Sequence, residues 1–309
     1  MPLEDRPTKL EPGDTNAIGR MLGVLGDEWN LLIIQQAVMG AARYTEFMSR
    51  LPISNSVLSK RLRMLVGEGL LTPDYATTAR SRSLWPVLVS IWQWERMWVT
   101  EHQELLPAMR HARCGHLFSP LMRCTSCGAT VGDDGIELAL GPSGQWSRFA
   151  PTATTRRRSE SDATARQAGL FPQTMSVLGN RWAAALLVSA FLGTTRFTDF
   201  QAQLGIPPSL LTERLQTFGD IGVLSAVPAD GSERAAYRLS GKGRALAGVL
   251  VTALQWAQRW FAAPDGAAVL VRHRDCGSLL GAELACDRCG ERLCGAQVDV
   301  TSAEAAGIP

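Results

Sequence analysis

The stretch VLGDEW at Val24–Trp29 returns, little changed, as VLGNRW at Val177–Trp182, and this repetition decides the fold. The copies lie 153 positions apart, and the same displacement superposes roughly fifty further residues without a gap. Beyond them the displacement becomes 162, which matches Cys114 with Cys276. The chain is therefore predicted to be a tandem duplication of a unit of roughly 110–130 residues.

The order of elements is clearest in repeat two, where apolar spacing predicts a helix over 173–192 that ends at Gly193. The later elements are a short helix at 196–204, a helix capped by Ser209 and running through Asp220, strands at 223–227 and 235–239, and a closing helix at 246–260. This order is typical of a winged helix-turn-helix, and the alternative is another small helical bundle with a hairpin. Repeat one lacks a counterpart of Tyr237–Arg244, which predicts a shortened wing.

The motifs of both repeats resemble those of the HxlR family of bacterial winged-helix regulators. They are G-x-x-W (Gly26–Trp29, Gly179–Trp182), R-[YF]-x-[DE]-F (Arg43–Phe47, Arg196–Phe200), L-[ST]-x-R-L (Leu58–Leu62, Leu211–Leu215) and, in repeat two, Y-x-L-[ST]-x-K-G (Tyr237–Gly243). The resemblance implies a dimeric, DNA-binding repressor or activator that responds to small molecules or stress. The duplication departs from the single short chain of the family, since one chain could present two reading heads.

The third helix of such a domain enters the major groove, so its first turns supply the candidate DNA contacts. The candidates in repeat one are Ser54, Asn55, Ser56, Ser59, Lys60 and Arg63, with Arg80 and Arg82 on the short wing. Those in repeat two are Ser209, Thr212, Arg234 and Arg238, with Lys242 and Arg244 as further cations of its wing. The alternative interpretation of each candidate is a solvated surface side chain. Arg61 and Arg214 are interpretable as structural partners within their domains.

The two third helices differ in charge, because Glu213 of repeat two would face phosphates unfavourably. Our hypothesis is that repeat one is the stronger reader of DNA. Repeat two is then the weaker reader, or partly a dimerising copy.

Cysteine and histidine recur with identical spacing after each winged helix, as H-x2-C-G-x8-C-x2-C-G. The residues are His111, Cys114, Cys124 and Cys127 in repeat one, and His273, Cys276, Cys286 and Cys289 in repeat two. Zinc prefers four tetrahedral nitrogen and sulfur ligands, and glycine after each knuckle lets the backbone turn. The spacing predicts two zinc sites, one per repeat, and a closed four-ligand site is usually structural.

Several alternatives for the metal sites remain open. His116 could replace His111, Cys294 could compete with His273, or the cysteines could be reduced and free of metal. A sensing role for zinc or oxidants is the alternative to a structural one, with Cys294 as a spare thiol.

Composition excludes several classes of protein. Of 309 residues, 46% are hydrophobic and 19% charged, which is typical of a globular chain, and the net charge of +2 leaves DNA contact to local clusters. No apolar run approaches a membrane span, no secretion signal begins the sequence, and no catalytic base or phosphate-binding loop stands out. We therefore expect a cytoplasmic protein that is not an enzyme.

The sequence predicts an α+β fold, mainly α, whose segments are winged helix-turn-helix domains at 14–108 and 169–264, zinc-ribbon-like modules at 109–140 and 265–309, and a linker at 141–168. The predicted function is sequence-specific regulation of transcription, by repression in the first instance, with double-stranded DNA as partner. A protein-interaction or assembly module is the alternative. A homodimer and a small-molecule effector remain open, as does the role of the many tryptophans, which either form core and inter-repeat packing or line an effector pocket.

Overall fold

The computed structural model describes residues 6–151, 172–229 and 232–301. The helices of repeat one are α1 (Ala17–Leu25), α2 (Glu28–Val38), α3 (Tyr44–Arg50), α4 (Asn55–Gly67), α5 (Ala79–Arg82) and α6 (Trp85–Trp98). Those of repeat two are α7 (Pro172–Leu178), α8 (Arg181–Phe191), α9 (Phe197–Leu204), α10 (Pro208–Asp220), α11 (Gly241–Arg244) and α12 (Ala247–Trp260).

The strands are short, and most of them belong to the segments after the winged helices. They are β1 (Thr8–Lys9), β2 (Ala108–His111), β3 (His116–Leu117), β4 (Pro120–Cys124), β5 (Ile136–Leu140), β6 (Leu224–Ala229), β7 (Ser232–Leu239), β8 (Phe261–Ala262), β9 (Val269–His273), β10 (Ala282–Cys286) and β11 (Val298–Thr301). Short 3-10 helices lie at Thr100–Leu105, Trp146–Arg148 and Gly295–Gln297.

Each repeat folds as a helix-turn-helix whose second helix is anchored by leucines one helical turn apart. Leu58, Leu62 and Leu65 of α4 are buried in one copy, and Leu211 and Leu215 of α10 are buried in the other. Phenylalanine from the preceding short helix packs into the same core and is fully buried in both copies. This apolar stripe explains why the opposite face of each helix is left to polar residues.

Two predicted boundaries in repeat two are wrong. The helix expected over 173–192 is two helices, because Asn180 breaks it and caps α8 by accepting hydrogen bonds from the N–H groups of Trp182 and Ala183. The third helix begins at Pro208, with Pro207 as its N-cap residue, so Ser209 lies inside the first turn. Proline is favoured at this position because its missing N–H has no helical partner there.

The wing of repeat one is shorter, as the change of displacement predicts, but the prediction that repeat one lacks a counterpart of Tyr237–Arg244 is wrong for the end of that stretch. The short helix α5 corresponds to α11 at the displacement of 162, so the missing residues belong to the hairpin. In repeat two, β6 and β7 form an antiparallel hairpin in which Leu224 pairs with Leu239. In repeat one, the same place holds a tight turn closed by one isolated bridge between Leu71 and Thr77. The turn brings Tyr75 to a φ of +67°, and Thr72 closes it through hydrogen bonds with Ala76.

The repeats contact each other through equivalent residues in a reciprocal way. Trp94 Nε1 donates to the carbonyl oxygen of Lys242 at 3.0 Å, and its counterpart Trp256 Nε1 donates to that of Arg80 at 2.9 Å. The displacement of 162 that relates the two tryptophans also relates Arg80 to Lys242. Such self-complementary contacts are those of a two-fold dimer, so the duplicated chain packs as a dimer within one polypeptide.

The segments after the two winged helices are intertwined. β4 of the first pairs with β10 of the second, with Pro120 opposite Cys286 and Cys124 opposite Ala282. Two further strand pairs cross the repeats, since β2 lies beside β11 and β5 beside β9, whereas β3 pairs with β2 of its own repeat. The prediction of two separate modules is therefore corrected to a single unit in which each segment completes its partner.

The first part of the predicted linker, residues 141–151, packs against both repeats. Asn16 Nδ2 donates to the carbonyl oxygen of Ser143 at 2.7 Å, and buried Arg148 pairs with Asp265 at 2.6 Å. Arg148 also donates to the carbonyl oxygen of Asp14. Residues 152–168 of that linker lie outside the described part of the chain.

Replacing Asp27 with Asn is expected to lower the free energy of unfolding by about 1–3 kcal/mol. Asp27 caps α2 and pairs with Arg61 at 2.6 Å, and its side chain is only 5% exposed. Asparagine keeps the cap, as Asn180 does in repeat two, but leaves the Arg61 guanidinium without its counter-ion. Denaturant unfolding measures the effect. The exposed pair of Arg113 with Glu291 is the control, since Glu291→Gln should change stability by less than about 0.5 kcal/mol. Equal losses would contradict the prediction.

Candidate nucleic-acid interface and metal centres

The outer face of α4 is polar and exposed. Ser54 is the N-cap residue, Asn55 and Ser56 begin the helix, and Lys60 and Arg63 follow one and two turns later on the same exposed side. The structure thus brings together the predicted contacts of this helix on one solvent-facing surface, with amide and hydroxyl groups at its start and cations further along. Amides suit hydrogen bonds to base edges, and cations suit phosphates.

Tyr44 is a residue of this surface that sequence reasoning missed. Its hydroxyl donates to the carbonyl oxygen of Asn55 at 3.1 Å or to Asn55 Oδ1 at 3.0 Å, and lies 3.2 Å from the hydroxyl of half-buried Ser59. The tyrosine therefore holds Asn55 and Ser59 in place at the start of α4. The comparison of the repeats could have revealed this role. The residue of repeat two that matches Tyr44 is Phe197, which has no hydroxyl to make these bonds.

Arg61 and Arg214 are structural, as one interpretation of the sequence held. Arg61 pairs with Asp27 across the domain, with the side chains 18% and 5% exposed. Arg214 is buried at the equivalent position and pairs with Glu213 of its own helix at 3.1 Å. Neither guanidinium faces solvent in the way a DNA contact requires.

The prediction for Arg80 is wrong. Arg80 is only 5% exposed, and its guanidinium donates to the carbonyl oxygen of Glu68 and to Thr8 Oγ1. It also stacks over Trp260 and Phe261 of the other repeat, with 5.1 Å to each ring centroid. Burial lowers the pKa of Arg80 from its ordinary value. Its role is to join the repeats, whereas Arg82 on the same short helix is exposed.

Repeat two presents a weaker set of groups. Ser209 and Thr212 are exposed on α10, and the Thr212 hydroxyl donates to the carbonyl oxygen of Pro208. Arg238 is exposed on β7, while the side chain of Arg234 lies outside the described residues. The other predicted wing cations are engaged, because Lys242 lies over the Trp94 ring and Arg244 pairs with Asp134 at 2.8 Å.

The cysteines and histidines form two clusters, each built from both repeats. His111 and Cys114 meet Cys286 and Cys289, and Cys124 and Cys127 meet His273 and Cys276. The within-repeat grouping is thus corrected, because the pairing of β4 with β10 carries each C-x2-C knuckle to the histidine of the other segment. His116 and Cys294, the alternative ligands, belong to neither cluster of described residues.

The distances within the clusters fit a tetrahedral ion. The Sγ atoms of Cys114 and Cys286 lie 3.9 Å apart, and His111 Nδ1 lies 3.5 Å from Cys114 and 3.4 Å from Cys289. In the second cluster the Sγ atoms of Cys124 and Cys276 lie 4.0 Å apart, and His273 Nδ1 lies 3.4 Å from the sulfurs of Cys127 and Cys276. Zinc bonds of about 2.3 Å to sulfur and about 2.0 Å to nitrogen would place tetrahedral ligands at about 3.5–3.8 Å from one another.

Glycine completes each knuckle at a left-handed backbone position, as predicted. Gly115, Gly128, Gly277 and Gly290 have φ between +68° and +76°. The pKa of Cys114 falls to about 6, chiefly through the N–H of His116, and that of Cys276 falls to about 6, chiefly through the N–H of Ser278. Burial and neighbouring thiols raise the pKa of Cys286 and, against the N–H of Ala129, that of Cys127. Each cluster thus has one acidic thiol, and its three-cysteine, one-histidine donor set is one that zinc binds.

The tryptophans are mainly structural. Trp94 and Trp256 join the repeats as described above, and Trp260 Nε1 donates to Ser83 Oγ at 2.8 Å. Trp85 and Trp92 differ, since they line a cavity beside α6. The packing interpretation therefore applies to Trp94, Trp256 and Trp260, and the effector pocket stays a prediction.

Comparison with known sequences identifies the family. The profile of the HxlR-like helix-turn-helix family matches residues 24–103 and 177–265, which together make up more than half of the chain. The chain belongs to this family. No helix among the described residues is long and apolar enough to cross a membrane.

The relatives match about one repeat. An uncharacterized HTH-type transcriptional regulator of Mycobacterium tuberculosis is 34% identical over 122 residues, covering 39% of this chain and 77% of the relative. The uncharacterized HTH-type transcriptional regulator YvaP of Bacillus subtilis is 32% identical over 91 residues, covering 26% of this chain and 84% of the relative. The crystal structure of PA1607, a candidate transcription factor, is 38% identical with a TM-score of 0.32 and covers 37% of this chain and 77% of PA1607.

Proposed function

We propose that this protein is a sequence-specific, DNA-binding regulator of transcription that presents both of its reading heads within one chain. The observation that carries the proposal is the exposed polar face of α4, with Asn55, Lys60 and Arg63 opposite a buried leucine stripe. The reciprocal packing of the repeats supports a dimer-like arrangement of α4 and α10 without a second chain. Membership of a helix-turn-helix family supports DNA as the partner.

Repression is the mode of action that we propose, because a compact protein that occupies promoter DNA blocks access to it without further activity. The proposed setting is the cytoplasm, where thiols stay reduced and available to metal. Selection of bound duplexes from a random pool, followed by titration at two salt concentrations, tests the proposal. A preferred sequence with steeply salt-dependent affinity is expected. The absence of duplex binding at low salt would favour the protein-interaction alternative instead.

We propose further that the two clusters hold structural zinc. The residues that would bind it are His111, Cys114, Cys286 and Cys289 in one site, and Cys124, Cys127, His273 and Cys276 in the other. Four protein ligands close the coordination sphere, so the ion would supply stability and no reactive position. Each site draws ligands from both repeats, so zinc would fasten the intertwined segments together.

The two heads should contribute unequally to DNA affinity. Lys60→Ala is expected to weaken duplex binding more than Arg238→Ala, because Lys60 lies on the exposed face of α4 whereas α10 has Glu213 at the equivalent position. A lost phosphate contact should also reduce the slope of affinity against salt by about 1. Titration of both variants against one selected duplex measures the difference. Equal losses would refute the asymmetry.

A further inference from the structure

A cavity of about 770 Å³ lies between winged helix one and β11. One wall is the end of α2 and the side of α6, and the opposite wall is β11 with the 3-10 helix before it. The shortened wing contributes Thr77 to the lining, and α5 contributes Arg82. The volume lies within the range of natural ligand pockets, about 300–1,000 Å³.

The lining of this cavity is mainly apolar and partly aromatic. Trp85 and Trp92 supply indole rings; the aliphatic and thioether side chains are those of Val38, Met39, Leu88, Val89, Ile91, Leu106, Met109, Val298 and Val300. Met39 and Val300 are 54% and 45% exposed, so apolar surface is left open to solvent at the mouth. Covering such a surface with an apolar ligand is favourable, because it removes apolar area from water.

The charged groups of the lining are few and mostly occupied. Glu95 is buried and accepts hydrogen bonds from the backbone N–H and the hydroxyl of Thr174. Arg82 donates to the carbonyl oxygen of Thr77 at 2.8 Å, and Asp299 is exposed on β11. Because Arg82 is positive and Asp299 is negative, the lining does not favour a ligand of either charge.

The duplication supplies an internal comparison. The equivalent position in repeat two, between α8 and β5, holds a depression of about 620 Å³. There the displacement of 162 replaces Trp85 with Ala247 and Trp92 with Leu254. Its lining includes Asp133, Asp134, Glu137, Arg244 and Arg274, and Arg244 pairs with Asp134 at 2.8 Å. The rest of this lining is apolar and includes Phe191. The cavity of repeat one thus has two indole rings and few charges, whereas the described lining of its counterpart has no tryptophan and five charged residues.

We infer that the cavity of repeat one binds one uncharged, flat aromatic molecule per chain, and that its counterpart in repeat two does not. Arg96 lies over the Trp92 ring at 4.8 Å and Gly295 packs against the Trp85 ring. An aromatic ligand would therefore contact the parts of the two indole rings that line the cavity, and the volume accommodates a molecule of drug size. Binding joins the shortened wing and α6 to β11, which belongs to the intertwined unit. Any effect of the ligand on DNA affinity rests on the proposed function. The binding of the ligand to the cavity does not depend on it.

The test uses N-phenyl-1-naphthylamine, an uncharged aromatic dye, and the full chain without DNA. Tryptophan emission should fall as dye emission rises, with saturation at one dye per chain. Ala296→Trp places an indole at the mouth of the cavity and should weaken dye binding by at least about tenfold through steric exclusion. Asp134→Trp is the matched control, since Asp134 is the counterpart of Ala296 and lines the other depression. It should leave the dye affinity unchanged.

Four outcomes overturn the inference: no binding, two dyes per chain, equal effects of the two substitutions, or binding that appears only when the chain is ended at Thr301. The last would show that residues 302–309, which follow β11, occupy the cavity themselves. A duplex titration of Ala296→Trp without dye tests DNA binding separately. Failure of the ligand site and failure of the proposed function are thereby distinguished.

Discussion

A chain that carries Cys114→Ser with Cys289→Ser is expected to retain one zinc ion, whereas Cys114→Ser with Cys127→Ser is expected to retain none. The first pair removes two ligands from a single cluster and leaves the other complete. The second pair removes one ligand from each cluster. Loss of one of four ligands abolishes a closed tetrahedral site, because water is a poor substitute for thiolate.

Elemental analysis of the purified variants measures this difference, with two zinc ions per chain expected for the unmodified protein. The control is Cys294→Ser, which removes an exposed thiol outside both clusters and should keep both ions. If each repeat closed its own site, the two double variants would exchange their zinc contents. That result would contradict the intertwined arrangement directly.

The same variants should differ in stability. Each cluster draws its ligands from both repeats, so an ion bound there would hold the paired strands together. The metal-free variant should therefore unfold at a lower temperature than the variant that keeps one ion. Thermal unfolding followed by circular dichroism, with and without chelator, measures the effect. Chelator should lower the unfolding temperature of the unmodified chain and leave that of the metal-free variant unchanged. An effect of equal size on both proteins would show that the chelator does not act by removing zinc.

Asn55→Ala is expected to weaken binding to a selected duplex by about 1–3 kcal/mol and to relax the preference at one base pair. Asn55 is exposed at the start of α4, and its amide is held by the Tyr44 hydroxyl at 3.0 Å. An asparagine in this place can make two hydrogen bonds to adenine in the major groove. Removing the amide removes those bonds while the buried leucines keep the helix in position.

Two further variants separate base recognition from general attraction. Tyr44→Phe, which installs the aromatic residue that repeat two has as Phe197, should cause a smaller loss at the same base pair because Asn55 is then less well oriented. Arg63→Ala should weaken binding to all duplexes alike, whereas Gln216→Ala at the equivalent position of repeat two should have little effect. Parallel titrations against the selected duplex and its single-base variants measure each outcome. A uniform loss for Asn55→Ala would contradict a role in base recognition.

Much of the fold was predictable because its signals are local. Helical spacing, glycine stops and matching motifs gave the helix-turn-helix order in both repeats, and the change of displacement predicted the short wing. The two errors in helix bounds also have local causes. The apolar pattern continues through Asn180, although Asn180 caps a new helix there. The sequence pattern indicates a break at Pro208, although proline is also favoured in the first turn of a helix. The candidate DNA contacts on α4 were predictable for the same reason, since burial of its leucines fixes which face is exposed.

The sequence by itself determined the duplication, the helix-turn-helix order and the eight candidate metal ligands, because periodicity, caps and ligand spacing act over a few residues. Only the tertiary structure decided which knuckles meet, since identical spacing in both repeats makes within-repeat and cross-repeat pairing equivalent until the strands are placed. It also decided that Arg80 is buried between the repeats and that Trp85 and Trp92 line a cavity whose counterpart in repeat two has no tryptophan among the described residues of its lining. Those properties depend on contacts between residues more than a hundred positions apart, where the local pattern carries no information.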